Sequence, residues 1–125
     1  MLTRFLSAHI TSTLIMPTAF RQGARSAPPV KEPIRDLVIR YELDTNRIII
    51  DERELRKWMT REGVSWEDLI IELERKNLLT SRHRPMTLGA GTVYASGQTP
   101  CLIVNGGNPA MAGVLQPVEM EKRHA

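Results

Sequence analysis

The sequence predicts one α+β domain, and three observations carry that expectation. A period-two apolar pattern at residues 34–43 is followed by the β-branched run Arg47-Ile48-Ile49-Ile50. Two amphipathic stretches with capping residues meet at Gly63-Val64-Ser65. A second apolar run, Cys101-Leu102-Ile103-Val104-Asn105, comes after a glycine-rich segment. Alternation at period two marks strands, while apolar residues three and four apart mark helices. A length of 125 residues suits a single domain.

Each element has a local reason. Leu37, Ile39, Tyr41 and Leu43 fall on one side of a strand, with Arg40 and Glu42 expected on the solvent side. Asp44-Thr45-Asn46 is turn chemistry, because Asn tolerates a left-handed backbone. With the following RIII run it makes a hairpin. Asp51 is placed to cap a helix over 52–62, with Glu54 three residues on, and Gly63 is placed to end it. Leu55, Trp58 and Met59 form its apolar side. Ser65 caps the next helix, Trp66, Leu69, Ile70 and Leu73 form its buried side, and Asn77 stops it. Glu67 and Asp68 suit its positive end, and Arg75 and Lys76 its negative end. Residues 85–88 are expected as a short strand, Gly89 to Gln98 as a long loop or wing, and 101–105 as the last strand. A short Gly-containing link between helices is what helix-turn-helix units use. The order therefore predicts a winged helix-turn-helix-like domain over 34–105, preceded by a β-hairpin.

On either side lie segments of different character. Residues 1–33 are expected as an amphipathic helix over 2–16, stopped by Pro17, and a Pro-rich linker. Residues 1–31 have no acid and are rich in Ser and Thr, which would suit a mitochondrial targeting peptide, the alternative reading. The preferred expectation is a cytoplasmic protein in which this segment docks on the domain. Residues 106–125 are expected to be mostly irregular, with Met111 and Val114 as an apolar clip.

Composition excludes several classes. Hydrophobic residues make up 42% and charged residues 25%, so the chain can build a core, mainly from aliphatic side chains. One cysteine excludes an internal disulfide framework. No apolar run approaches the ~18–20 residues of a membrane span, so no membrane partner is expected. The Gly89-Ala90-Gly91-Thr92 run lacks the Lys and spacing of a phosphate loop. Cys101 heads an apolar strand, where a thiol is usually inert. His9, His83 and His124 share no ligand spacing. The acid pairs Asp51-Glu52 and Glu67-Asp68 sit at helix starts, where capping accounts for them. The sequence therefore predicts no enzyme activity, no cofactor and no metal.

Charge is distributed unevenly. Residues 75–118 carry Arg75, Lys76, Arg82 and Arg84 and no Asp or Glu, whereas residues 42–74 carry ten acids against five bases. A polyanion would avoid the middle and prefer the later segment. Arg75, Lys76, Arg82, His83 and Arg84 are therefore the candidate nucleic-acid contacts, through phosphate, with DNA as the expected partner. The second helix leads with Trp66-Glu67-Asp68, whose carboxylates oppose insertion in a groove. Thr92, Tyr94, Ser96 and Gln98 of the wing are further contact candidates. The competing class is a protein-docking domain that uses acidic helices, the apolar N-terminal helix and Ile71.

The stretch from Ile34 to Gly113 resembles the C-terminal regions of phage- and plasmid-borne primase-helicase-like replication proteins. The resemblance lies in VIRYELDTNRIIID, LRKWMTREGVSWEDLIIELERKNLL, MTLGAGT and NPAMAG. RFLSAHITSTLIM is a candidate for the same tail. Such regions follow a P-loop ATPase core whose motifs this chain lacks, so no catalytic residue carries over. What the resemblance implies is an accessory domain in mobile-element DNA replication, with a replication protein as a further partner.

Overall fold

A computed structural model describes residues 2–21, 23, 27–94 and 97–107. In chain order the elements are α1 (Leu2–Ala8), a 3₁₀ turn (Ile10–Ser12), β1 (Thr13–Met16), β2 (Ile39–Glu42), β3 (Arg47–Asp51), α2 (Glu52–Glu62), α3 (Trp66–Arg75), β4 (Leu79–Met86) and β5 (Thr99–Asn105). The strands form one mixed sheet in the order β1-β2-β3-β5-β4. β1 runs parallel to β2, and the other pairs are antiparallel. The chain is thus α+β.

The helix expected over 2–16 ends at Ala8. Beyond it, Ile10, Thr11, Thr13 and Ile15 are β-branched and fit a pleated strand better than a helix. Thr13 to Met16 pair with Ile39 to Glu42 and are fully buried. Pro17 therefore follows a strand. Leu2, Phe5 and Leu6 of α1 join the core with Leu55, Trp58 and Met59 of α2. The Phe5 ring meets Trp58 edge-on at 5.6 Å. Backbone bonds from Ile15 N to Lys31 O (2.9 Å) and Val30 N to Ile15 O (2.8 Å) cover the outer edge of β1.

The hairpin forms as expected, though shorter. Ile34 is 81% exposed, and β2 begins only at Ile39. Asn46 takes the left-handed turn at φ 54°. Gly106 packs on this turn: its N–H donates to Asn46 O, and a Cβ there would lie 2.9 Å from the Tyr41 ring. The Asp51 side chain caps α2 by accepting from Arg53 N, and Gly63 ends it at φ 67°. Ser65 caps α3 by accepting from Asp68 N, and Asn77 leaves it at φ 56°.

Alternation along the strands gives the sheet two apolar faces. Ile39, Tyr41, Ile48, Ile50, Leu102 and Val104 meet the helices in the main core. Ile49, Cys101 and Ile103 form a smaller cluster with Leu88 on the other side. This second face was expected to be solvated at Arg40 and Glu42, yet each is only 2% exposed. The loop after β4 turns back over it: Arg40 Nη1 donates to Leu88 O at 2.9 Å and Ala90 O at 2.8 Å. Arg40 Nε donates to Glu42 Oε2 at 3.0 Å, and Arg47 Nη2 to Glu42 Oε1 at 2.7 Å.

Expected as residues 85–88, the short strand is instead the longer β4, which takes in Arg82, His83 and Arg84. Residues 108–125, with Met111 and Val114, lie outside the described residues.

Candidate nucleic-acid interface

β4 is an edge strand, and its irregular pairing decides where its cations stand. Leu79 faces Val104, Ser81 faces Ile103 and Arg84 faces Cys101, so β4 gains an extra residue on β5 twice. Such bulges break the regular ladder and re-aim side chains. His83 sits in the second bulge with φ 57°, a backbone state that a residue with a Cβ rarely adopts. One carboxylate holds it there. His83 N donates to Glu52 Oε1 at 2.9 Å, and His83 Nδ1 lies 2.9 Å from Glu52 Oε2. Glu52 is 3% exposed. It was expected to serve capping beside Asp51. Asp51 does cap α2, but Glu52 instead clasps the start of α2 to β4.

The five expected cationic residues therefore divide. Arg82 and Arg84 are exposed on β4, and neither has a carboxylate partner among the described residues. Between them, His83 is committed to Glu52 through one ring nitrogen, with its side chain still 78% exposed. Arg75 and Lys76 lie at the end of α3, near the start of β4. Lys76 Nζ donates to Glu72 Oε1 at 2.9 Å. That hydrogen bond holds the Glu72 carboxyl below its ordinary range, despite a smaller opposing effect of burial. Along β5, the partners of Leu79 and Arg84 are three positions apart, about 10 Å at strand spacing. The run is thus two groups, with the unpaired arginines in the second.

A cationic stripe also lies on α2. Arg53, Arg56, Lys57, Thr60 and Arg61 are all exposed. Their spacing of i, i+3, i+4, i+7 and i+8 puts them on one side of the helix, opposite Leu55, Trp58 and Met59. Several are oriented by neighbours. Arg53 Nη2 donates to Thr99 Oγ1 at 2.7 Å, and the Arg56 guanidinium lies 4.1 Å over the Trp66 ring. Lys57 Nζ donates to Glu54 at 3.3 Å. Arg61 has no such partner among the described residues. Glu52 precedes Arg53 on α2, and its clasp on His83 fixes β4 against the start of the helix that carries the stripe. The stripe could have been found from residue spacing. Adding the acids of both helices together hid it, because Glu52 is buried and Glu62 stands off the stripe, which leaves Glu54, paired with Lys57, as the one acid beside it. Anionic charge is concentrated on α3, in Glu67, Asp68, Glu72 and Glu74.

Other candidates are drawn into the fold. Cys101 is fully buried, and burial followed by the charges of Asp51 and Glu52 pushes its thiol up to about 12. A thiol held neutral in this way is a poor nucleophile. His83 engages Glu52 rather than Cys101. Gly91, at φ 79°, serves a turn in which Thr92 Oγ1 donates to Gly89 O at 2.8 Å. Tyr94 OH donates to Glu32 Oε1 at 3.1 Å. Of the expected wing contacts, Thr92 and Tyr94 are therefore spent internally, Gln98 is exposed, and Ser96 lies outside the described residues. Among the described residues, no group of three or more His, Cys, Asp or Glu is placed to hold a metal ion, and no helix is long and apolar enough to cross a membrane.

No family model, curated protein or solved structure matches the chain.

Proposed function

We propose that the protein is a non-enzymatic accessory module that binds nucleic acid, DNA in the first instance, through its phosphate backbone. One observation carries the reading. Arg82 and Arg84 are exposed without carboxylate partners among the described residues, and Glu52 joins their strand to the start of α2. With the α2 cations they supply the sign of charge that a polyanion requires. Such contacts fix position and carry little sequence information. The α2–α3 pair, the antiparallel unit β3-β5-β4 and the loop between β4 and β5 support a winged helix-turn-helix reading. In this version α2 and β4 face the ligand, because α3 begins with Glu67 and Asp68. The resemblance to primase-helicase-like C-terminal regions supports a place in mobile-element replication.

A docking role has less to draw on. Its apolar N-terminal helix buries Leu2, Phe5 and Leu6 within the domain, leaving the acids of α3 and the half-exposed Ile71.

The test is fluorescence anisotropy with a labelled duplex over a range of salt concentrations. A contact to one phosphate adds about 0.9 to the slope of log K against log salt. Changing Arg82 and Arg84 together to Ala should lower that slope by roughly 1–2 and weaken binding at every salt concentration. An unchanged slope and affinity would reject the assignment.

A further inference from the structure

We infer a second ligand site beside the nucleic-acid surface: the cleft over Arg40, Glu42 and Arg47 binds a small oxyanion through a phosphate or carboxylate group. The cleft has a volume of about 240 Å³, and Phe20, Met86 and Gln98 also line it. Arg40 is 2% exposed. Its Nε is committed to Glu42, and its Nη1 to the carbonyls of Leu88 and Ala90. Nη2 is buried and has no hydrogen-bond partner among the described residues. A buried charged donor without an acceptor is costly, and native structures rarely keep one without a reason.

Glu42 is already shared between two arginines and makes no bond to Nη2. Its Oε2 accepts from Arg40 Nε, and its Oε1 accepts from Arg47 Nε, Arg47 Nη2 and Thr45 Oγ1. Two arginines thus share one carboxylate, and the cleft keeps a net positive charge. Arg47 is 30% exposed, so it is the cation an incoming anion meets first. Phe20 and Gln98 are exposed, and among the described residues no hydrogen bond holds the Gln98 side chain. Both line the cleft, so an entering ligand meets side chains that are exposed. Guanidinium groups favour planar, charge-assisted contacts with phosphate and carboxylate oxygens.

The experiment titrates the full chain with orthophosphate, with acetate and with chloride at matched ionic strength, following melting temperature and amide chemical shifts. The inference expects a saturable rise in melting temperature with orthophosphate, acetate or both, beyond that with chloride. Shifts should centre on residues 40–42, 47 and 88–90. Comparing the two oxyanion titrations tells a phosphate ligand from a carboxylate one. Arg47→Gln should weaken the affinity at least tenfold. Arg47→Lys, which keeps the charge, should weaken it by no more than about threefold. Three results would overturn the inference: responses equal to chloride, undiminished affinity in Arg47→Gln, or shifts confined to α2 and β4.

Discussion

Replacing Glu52 separates two accounts of the basic surface, because charge and geometry predict opposite outcomes. Glu52→Ala leaves the domain one unit more positive. If charge alone governs binding, the variant holds DNA more tightly. If the clasp matters, it holds DNA more weakly, since the bulge at His83 loses its anchor and the strand arginines move relative to Arg53. The stability effect can be worked from the contacts. Glu52 accepts two hydrogen bonds, and losing a buried partner costs about 1–3 kcal/mol. The ring contact counts for little, because the His83 side chain is 78% exposed and water can replace its partner. Relief from burying a carboxylate offsets part of the remainder. The net loss should be about 2 kcal/mol, or roughly 10 °C in melting temperature for a domain of this size. Glu52→Gln keeps one acceptor and should cost about half as much. Thermal melts and anisotropy titrations on the same samples read both effects. A melting temperature within about 2 °C of wild type, or tighter DNA binding by Glu52→Ala, would refute the reasoning.

Other perturbations address the rest of the fold. Glu42→Gln leaves Arg40 and Arg47 without their shared counter-charge and should cost about 3–5 kcal/mol in urea denaturation, whereas changing Arg40 and Glu42 together to Leu should cost less. Deleting residues 2–16 removes α1 and β1 with the buried Leu2, Phe5, Leu6, Leu14 and Ile15. At about 1.5–3 kcal/mol for each side chain, the remaining chain should lose its cooperative transition, as read by circular dichroism. Cys101 should resist iodoacetamide at pH 8 until denaturant is added, with mass spectrometry as the readout. Its folded thiol titrates above its unfolded one, so the contribution to stability is complete below pH ~9 and declines as pH rises towards 12.

Local rules made much of this fold legible. Asp51, Gly63, Ser65 and Asn77 bound the helices as their chemistry predicts. The strands at 47–51 and 99–105 follow from β-branched and apolar runs. What local rules miss depends on distant partners. Residues 10–16 have helical apolar spacing, but a parallel pairing with β2 overrides it. Arg40 and Glu42 alternate like a solvated face, and only the loop returning at Leu88 and Ala90 buries them. The basic run at Arg82 has no apolar alternation, so nothing local marks it as an edge strand. Its pairing with β5 supplies the order. Glu52 resembles a helix-start acid, and its partner lies 31 residues away. Within the candidate site, Arg82 and Arg84 were visible as unopposed charge. The α2 stripe was visible only by helical position, which net-charge counting erases.

Central to the account is one phosphate-binding surface made of β4 and α2 cations. Amide and arginine side-chain NMR shifts during titration with a short DNA duplex test it directly. The account predicts that Arg53, Arg56, Arg61, Arg82 and Arg84 shift together along one binding curve, while Glu67 and Asp68 stay unmoved. Shifts centred on the first turn of α3, or none on β4, would contradict it.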